Sequence, residues 1–263
     1  MTALSHSALP TQVGLLAGRA VRRILRQPAQ LVFPVLFPLV LLAVNTSGLD
    51  AATQLPGFPT ASYLDFALAI PFMQGALFAA LNGGQDLARD IQGGFLDRLA
   101  MTPMSGAALL AGQLGGALFM GVVSAVLYLV VGIAFGAGIA SGVGGALVLL
   151  ALAIAISFAF ACFGTFVALR AGTGEAVQGF FPLFFVLLFL SSAFFPRDLI
   201  EQDWFRVVAT YNPVSYMVEG IRSLVITGWD WQALAQAFGL SALAIAAFLA
   251  LSARALRTRL VRT

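Results

Sequence analysis

The 263-residue chain has no lysine, one histidine, one cysteine and only 11 acidic residues, and each scarcity removes a chemistry. A Walker A loop sets a lysine on the nucleotide phosphates, so a chain without lysine cannot hold an ATPase of that kind. His6 stands alone in a polar N-terminal tail, which rules out a histidine-activated nucleophile or an HExxH zinc site. Cys162 by itself forms neither a disulfide framework nor a thiolate metal site. Paired carboxylates within a bilayer would mark a proton relay. The apolar segments carry none, because Asp65 and Glu175 fall at segment ends. The expectation is a chain with no cofactor, no metal and no enzyme activity of its own. Arginine in place of every lysine suggests a GC-rich bacterial genome.

What the chain does have is apolar length. It is 60% hydrophobic and 10% charged, with mean hydropathy +0.96, where a soluble domain carries about 25% charged residues. Six apolar segments run over 29–46, 61–84, 106–135, 146–169, 176–195 and 231–253. About 20 residues at about 1.5 Å each cross a hydrocarbon core. Pro34 and Pro38 interrupt the first segment and leave its limits open. Eleven of 14 arginines alternate in position: Arg19, Arg22, Arg23 and Arg26 precede segment one, Arg89 and Arg98 follow two, Arg170 follows four, and Arg254, Arg257, Arg259 and Arg262 follow six. The opposite side holds Arg197, Arg206 and Arg222. By the positive-inside rule this predicts an all-α protein with six transmembrane helices and both termini in the cytoplasm. Residues 1–28 form a cytoplasmic tail and amphipathic helix, 29–253 the membrane domain, and 254–263 an arginine-rich tail. The net charge of +3 reads as orientation and contact with anionic lipids rather than nucleic-acid binding.

Residues 11–27 place Val13, Leu16, Ala17, Ala20, Val21, Ile24 and Leu25 on one side of a helix and the arginines on the other. That is the pattern of an interfacial helix; an ordinary positive-inside flank explains the charge but not the stripe. Segment 85–105 is the longest polar stretch between spans on the inner side. In it Gly93 and Gly94 allow a turn, and Phe95, Leu96, Leu99 and Ala100 can pack one face of a short helix. A projecting helix for a soluble partner and a solvated loop with local charge pairs both fit. The outer stretch 196–230 breaks at Asn212–Pro213, because the residue before proline avoids the helical region. Its two halves are helical in period and too short or too charged to span, so they read as a re-entrant hairpin (about 197–228) or as a surface loop. Glu219 and Arg222, three apart, are placed to neutralise each other. Gly112/Gly116, Gly132/Gly136 and Gly138/Gly142 have the spacing of close helix packing. Span five is rich in Phe, including Phe180, Phe181, Phe184, Phe185 and Phe189, which either packs and faces lipid or lines a pathway.

Three stretches carry a family resemblance. GGFLDRLAMTPMSGAALLAGQL (93–114) is similar to a G-x-hydrophobic-E/D-R-L…TP…L pattern before a third span. LSSAFFPRDLIEQDWFRVVATYNPVSYMVEGIRSL (190–224) is similar to SGxFxP…W…NP…E-x-x-R. With the six-span order and the arginine-rich lead-in helix, they resemble the ABC-2 type permeases of daunorubicin-resistance-like, type V ABC exporters. Asp97 stands where many relatives carry Glu, and Asp198 where a second proline is common.

The resemblance implies a permease dimer, as homodimer or with a paralogue, docked on separate nucleotide-binding subunits that bind ATP and Mg. It implies a coupling helix at about 93–102 with Phe95, Leu96, Asp97, Arg98 and Leu99, supported by Arg22 and Arg23 of the connecting helix. Spans two and five then face the dimer axis, with Phe72, Gln74, Phe78, Phe181, Phe185 and Phe189 lining the pathway. Asn212, Pro213, Tyr216, Glu219 and Arg222 form an outer gate. A pathway without charge suits a hydrophobic or amphipathic cargo such as a drug, antibiotic or lipid, since burying an unpaired ion is costly. Export of a lipid-linked polysaccharide is the second reading. A channel or an intramembrane enzyme is a remote third.

Overall fold

Where no water reaches the backbone, each N–H and C=O must be bonded within its own segment, so long apolar runs fold as helices. The structure, a computed structural model, describes residues 9–27, 29–95, 98 and 106–262, and among these every regular element is helical. The α-helices are α1 (Leu9–Arg26), α2 (Ala29–Leu49), α3 (Tyr63–Ala67), α4 (Ala69–Gln92), α5 (Gly106–Ala134), α6 (Gly142–Ala171), α7 (Gly174–Gly179), α8 (Phe181–Phe189), α9 (Asp203–Tyr211), α10 (Pro213–Ile226) and α11 (Trp231–Arg262). Five stretches are long and apolar enough to cross a membrane: Val32–Gln54, Tyr63–Gln92, Gly106–Ala134, Gly142–Ala171 and Trp231–Arg259. The chain is a multi-pass membrane protein.

The segment expected as span five is built differently from the rest. Its apolar helix, Gly174–Phe189, is short and divides at Phe180 into α7 and α8. Pro182 lacks the N–H that a continuous helix would donate to the Gln178 carbonyl, so the turn reforms one residue on. Helix α1 lies along α5 on a seam of small residues. A Cβ on Gly112 would stand 2.3 Å from Leu16, and one on Gly116 2.8 Å from Ala20. One of the expected glycine pairs therefore serves α1 rather than a second span.

Helix α4 forms the centre and is buried over most of its length. It crosses α6 backbone to backbone, where a Cβ on Gly164 would stand 2.3 Å from the Ala80 carbonyl oxygen. No larger residue permits that approach. Around the half of this crossing farther from α1, Phe66, Leu68, Ile70, Leu149, Leu152, Ile156, Ile221 and Leu224 are fully buried in one cluster.

Two sequence expectations change here. Pro34 and Pro38 do not break the first span, since α2 continues through both. Pro38 cannot donate to the Pro34 carbonyl one turn back; the Tyr128 hydroxyl donates to it instead, at 2.7 Å. Nor does the second segment end at residue 84, because α4 runs on to Gln92 and carries Asp86, Arg89 and Asp90 as a helical extension.

Helices α6 and α11 run parallel. Near their starts a Cβ on Gly144 would lie 3.6 Å from Trp229, and near their ends Arg259 Nε donates to the Leu169 carbonyl at 3.0 Å. The chain between Ala171 and Trp231 therefore returns over the length of α6.

Candidate coupling face and outer polar cluster

At the arginine-rich end, α1 and the α4 extension are joined by charge. Arg19 and Arg23 stand four apart, as do Asp86 and Asp90, so one turn of each helix matches one turn of the other. Arg19 pairs with Asp90, and Arg23 Nη2 bonds the other oxygen of the same carboxylate at 2.9 Å. Arg23 Nη1 reaches Asp86 Oδ1 at 3.5 Å, and Arg89, three residues on along α4, reaches the same oxygen at 2.8 Å. The two carboxylates are largely buried beneath α1. Burial alone would lower the Arg23 guanidinium, but Asp90 and then Asp86 more than reverse it and hold Arg23 above its ordinary value.

Gly93 closes α4 by donating to the Arg89 carbonyl at 2.9 Å, and Gly94 turns the chain with φ +65°. Beyond it, Arg98 N–H bonds back to the Gly94 carbonyl at 3.2 Å. The Arg19 guanidinium sits 3.8 Å over the Phe95 ring, so the turn, α1 and α4 meet on one arginine. Leu96, Asp97 and Leu99 lie outside the described residues. Of the two arginines expected to help coupling, Arg23 faces inward onto α4, while Arg22 is exposed on a groove that Arg19 and Arg26 also line. Asp86 and Asp90 are the partners sequence reading missed. The matched four-residue spacings were the signal.

At the other end, α10 carries a buried arginine. Arg222 is 8% exposed; its Nε donates to the Phe66 carbonyl at 3.2 Å, Nη1 to Ser192 O at 3.0 Å and Nη2 to Ala193 O at 2.9 Å. The guanidinium also stacks 3.6 Å from the Phe66 ring centre. Glu219 acts on Arg222 through space, favouring its charge, and makes its direct bonds elsewhere. It accepts from Arg197 at 2.6 Å and from the Ser192 hydroxyl at 2.8 Å. Arg197 lies over Tyr216, 4.5 Å from its ring centre. Asn212 caps α10 by accepting from the Val214 N–H at 2.9 Å, and its amide donates to Leu187 O at 2.6 Å, tying α10 to α8. Pro213 takes the first helical position, where its missing N–H costs nothing. Tyr63 O–H to Phe194 O and Ser192 N–H to Ser215 Oγ complete the fastening of residues 191–196. Of the residues expected at this end, Glu219 and Arg222 bond the 191–196 turn, Tyr216 meets Arg197 beside it, and Asn212 reaches Leu187 on α8 instead.

Helix α8 has two aromatic faces. Phe181, Phe185 and Phe189 continue a row that runs from Phe33 and Phe37 through Phe78 and ends on Phe194, with ring centres 4.8–6.0 Å apart. Phe180 and Phe184 turn the other way and pack on Phe163 of α6. Of the remaining pathway candidates, Phe72 is buried edge-on to Tyr128, and Gln74 is 1% exposed with neither amide atom hydrogen-bonded. Among the described residues no group of histidine, cysteine or carboxylate side chains is arranged to hold a metal.

The sequence profile of the ABC-2 type transporter family matches residues 11–226, from α1 to the end of α10. A daunorubicin resistance ABC transporter permease protein of Streptomyces coeruleorubidus is 29% identical over 212 residues, which are 79% of this chain and 72% of that protein. The profile thus spans the charge ladder at one end and the fastened turn at the other, and the chain belongs to the ABC-2 type transporter family.

Proposed function

We propose that the chain is the membrane-spanning subunit of an ATP-driven exporter for a hydrophobic or amphipathic small molecule. The observation that carries this is its likeness to a daunorubicin resistance permease over 79% of its length. ATP and Mg bind a separate nucleotide-binding subunit, consistent with a sequence that has no lysine for a Walker A loop. The subunit lies in a bacterial cytoplasmic membrane with both termini inside, as the arginine alternation favours. Gly174–Phe189 makes the sixth crossing, a reading supported by the parallel course of α6 and α11. Helices α9 and α10 form a re-entrant outer hairpin, which the burial of α10 supports.

Force from the partner enters at Phe95–Leu99. Through the Phe95–Arg19 stack and the Arg23–Asp90 pair it reaches α1 and α4 together. A second permease copy, identical or paralogous, faces the aromatic row of Phe78, Phe181, Phe185 and Phe189, and cargo passes between the two rows. Asn212, Glu219 and Arg222 hold the outer end closed at rest.

The test is co-purification of the tagged chain from its host in mild detergent, with and without the double reversal Asp97→Arg and Arg98→Asp. An ATPase subunit that co-purifies with the wild type and is lost from the variant is the expected result. A chain that isolates alone and transports in proteoliposomes without ATP overturns the proposal.

A further inference from the structure

A groove of about 400 Å³ lies between α6, α8, α10 and α11, on the face of α8 opposite the aromatic row. Its walls are almost wholly apolar, with Phe160 and Phe163 from α6, Phe184 and Leu187 from α8, and Ala247 and Phe248 from α11. A pocket this apolar on membrane-spanning helices suits a hydrocarbon chain.

Charge at one end identifies which. On α6 the lining positions 159, 160 and 163 extend by helical period to 166 and 170. On α11 the positions 240, 243, 244, 247 and 248 extend to 251 and 254. The stripes therefore end on Arg170 and Arg254, both exposed. Each stands about 10 Å along its helix from the last lining phenylalanine, at about 1.5 Å per residue. The Arg259–Leu169 bond holds the two helix ends together at this level. Among the described residues neither Arg170 nor Arg254 has an ion-pair partner.

We infer that this groove is a binding site for an anionic phospholipid, one acyl chain lying along α8 and the phosphate between Arg170 and Arg254. Two guanidiniums at the mouth of a hydrocarbon slot match a lipid with net negative charge and give a zwitterionic lipid far less. The occupant seats on the outside of α8, apart from the proposed pathway, and fills the space between the short fifth segment and its neighbours. This needs the membrane setting alone and stands or falls separately from the export reading.

The experiment uses the full chain in phosphatidylcholine nanodiscs with trace phosphatidylglycerol carrying a diazirine on its acyl chain. Labelled peptides are mapped after illumination. The expected labels fall at 159–163 and 240–248. Unlabelled phosphatidylglycerol should compete at a concentration roughly tenfold or more below that of phosphatidylcholine, the preference two basic residues at a membrane surface provide. Arg170→Gln with Arg254→Gln, both on the surface, should abolish that preference and leave some labelling. Ala247→Phe should fill the slot and remove the labels without lowering the melting midpoint. Labels spread evenly over the lipid-facing helices overturn the inference. So does equal competition by the two lipids, or a preference that survives loss of both arginines. Displacement by daunorubicin and by neither lipid would assign the groove to cargo and overturn it as well.

Discussion

Arg222 concentrates the outer cluster in one side chain. Its three nitrogens hold three carbonyls from two separate segments, Phe66 on one side and Ser192 and Ala193 on the other. A planar guanidinium makes that fan of bonds, whereas an ammonium is a single point that cannot reach both segments. Arg222→Lys should therefore leave buried carbonyls and a buried charge short of partners, at a cost of about 2–4 kcal/mol. A lower melting midpoint in detergent, read by size-exclusion chromatography, is the check; an unchanged midpoint would refute this account of the cluster. Tyr128 is a second single-residue case. Its hydroxyl serves a carbonyl that Pro38 has orphaned, so Tyr128→Phe should cost about 1–3 kcal/mol. The reason can be tested apart from the size. Pro38→Ala restores an N–H one turn from Pro34, and in that background Tyr128→Phe should cost clearly less. Equal losses in both backgrounds would mean that the hydroxyl has another task.

Among elements, the contact that connects the proposed coupling segment to the membrane core is α1 on α4. Arg23 and Asp90 are both well shielded, so exchanging them is informative where a surface pair would show little. Arg23→Asp and Asp90→Arg should each loosen α1, seen as faster proteolysis near residue 27. The double exchange should recover about 1–3 kcal/mol relative to the sum of the single losses. Additive losses would show that the small-residue seam on α5, not the charges, docks α1.

Much of this element was legible: the apolar stripe and the arginines of 11–27 announce an amphipathic helix, and α1 is one. What its arginines pair with was not, because the polar composition of 85–92 resembles a loop until one counts that Asp86 and Asp90 repeat at the spacing of Arg19 and Arg23. The outer segment shows the same division. The break at Asn212–Pro213 follows from local backbone rules, and the structure has it there. The partner of Glu219 does not follow from them, since spacing points to Arg222 on the same helix while folding brings up Arg197 from 22 residues away.

For the whole molecule, the number of crossings is a question of parity. Five crossings put the termini on opposite sides of the membrane, and six put them on the same side. Five helices have ample length, and the sixth candidate, Gly174–Phe189, reaches only about 24 Å at about 1.5 Å per residue. Length alone therefore favours five. Direction supports the proposed sixth, because α6 and α11 run parallel, and two parallel crossings need a return between them. A segment shorter than the hydrocarbon core is accommodated by local thinning of the bilayer or by burial among neighbours. Here α6, α10 and α11 surround one side of α8. Single cysteines placed at exposed positions in a Cys162→Ser background will report the crossing through an impermeant maleimide applied to sealed, sided vesicles. Gln54→Cys and Gln202→Cys should react from one side, and Arg98→Cys, Glu175→Cys and Thr258→Cys from the other. The deciding pair is Glu175 and Gln202. Reaction from opposite sides requires the short segment to cross, with both termini on the arginine-rich side. Reaction from the same side would leave five crossings and would force α11 to run antiparallel to α6, against the contacts at both of their ends.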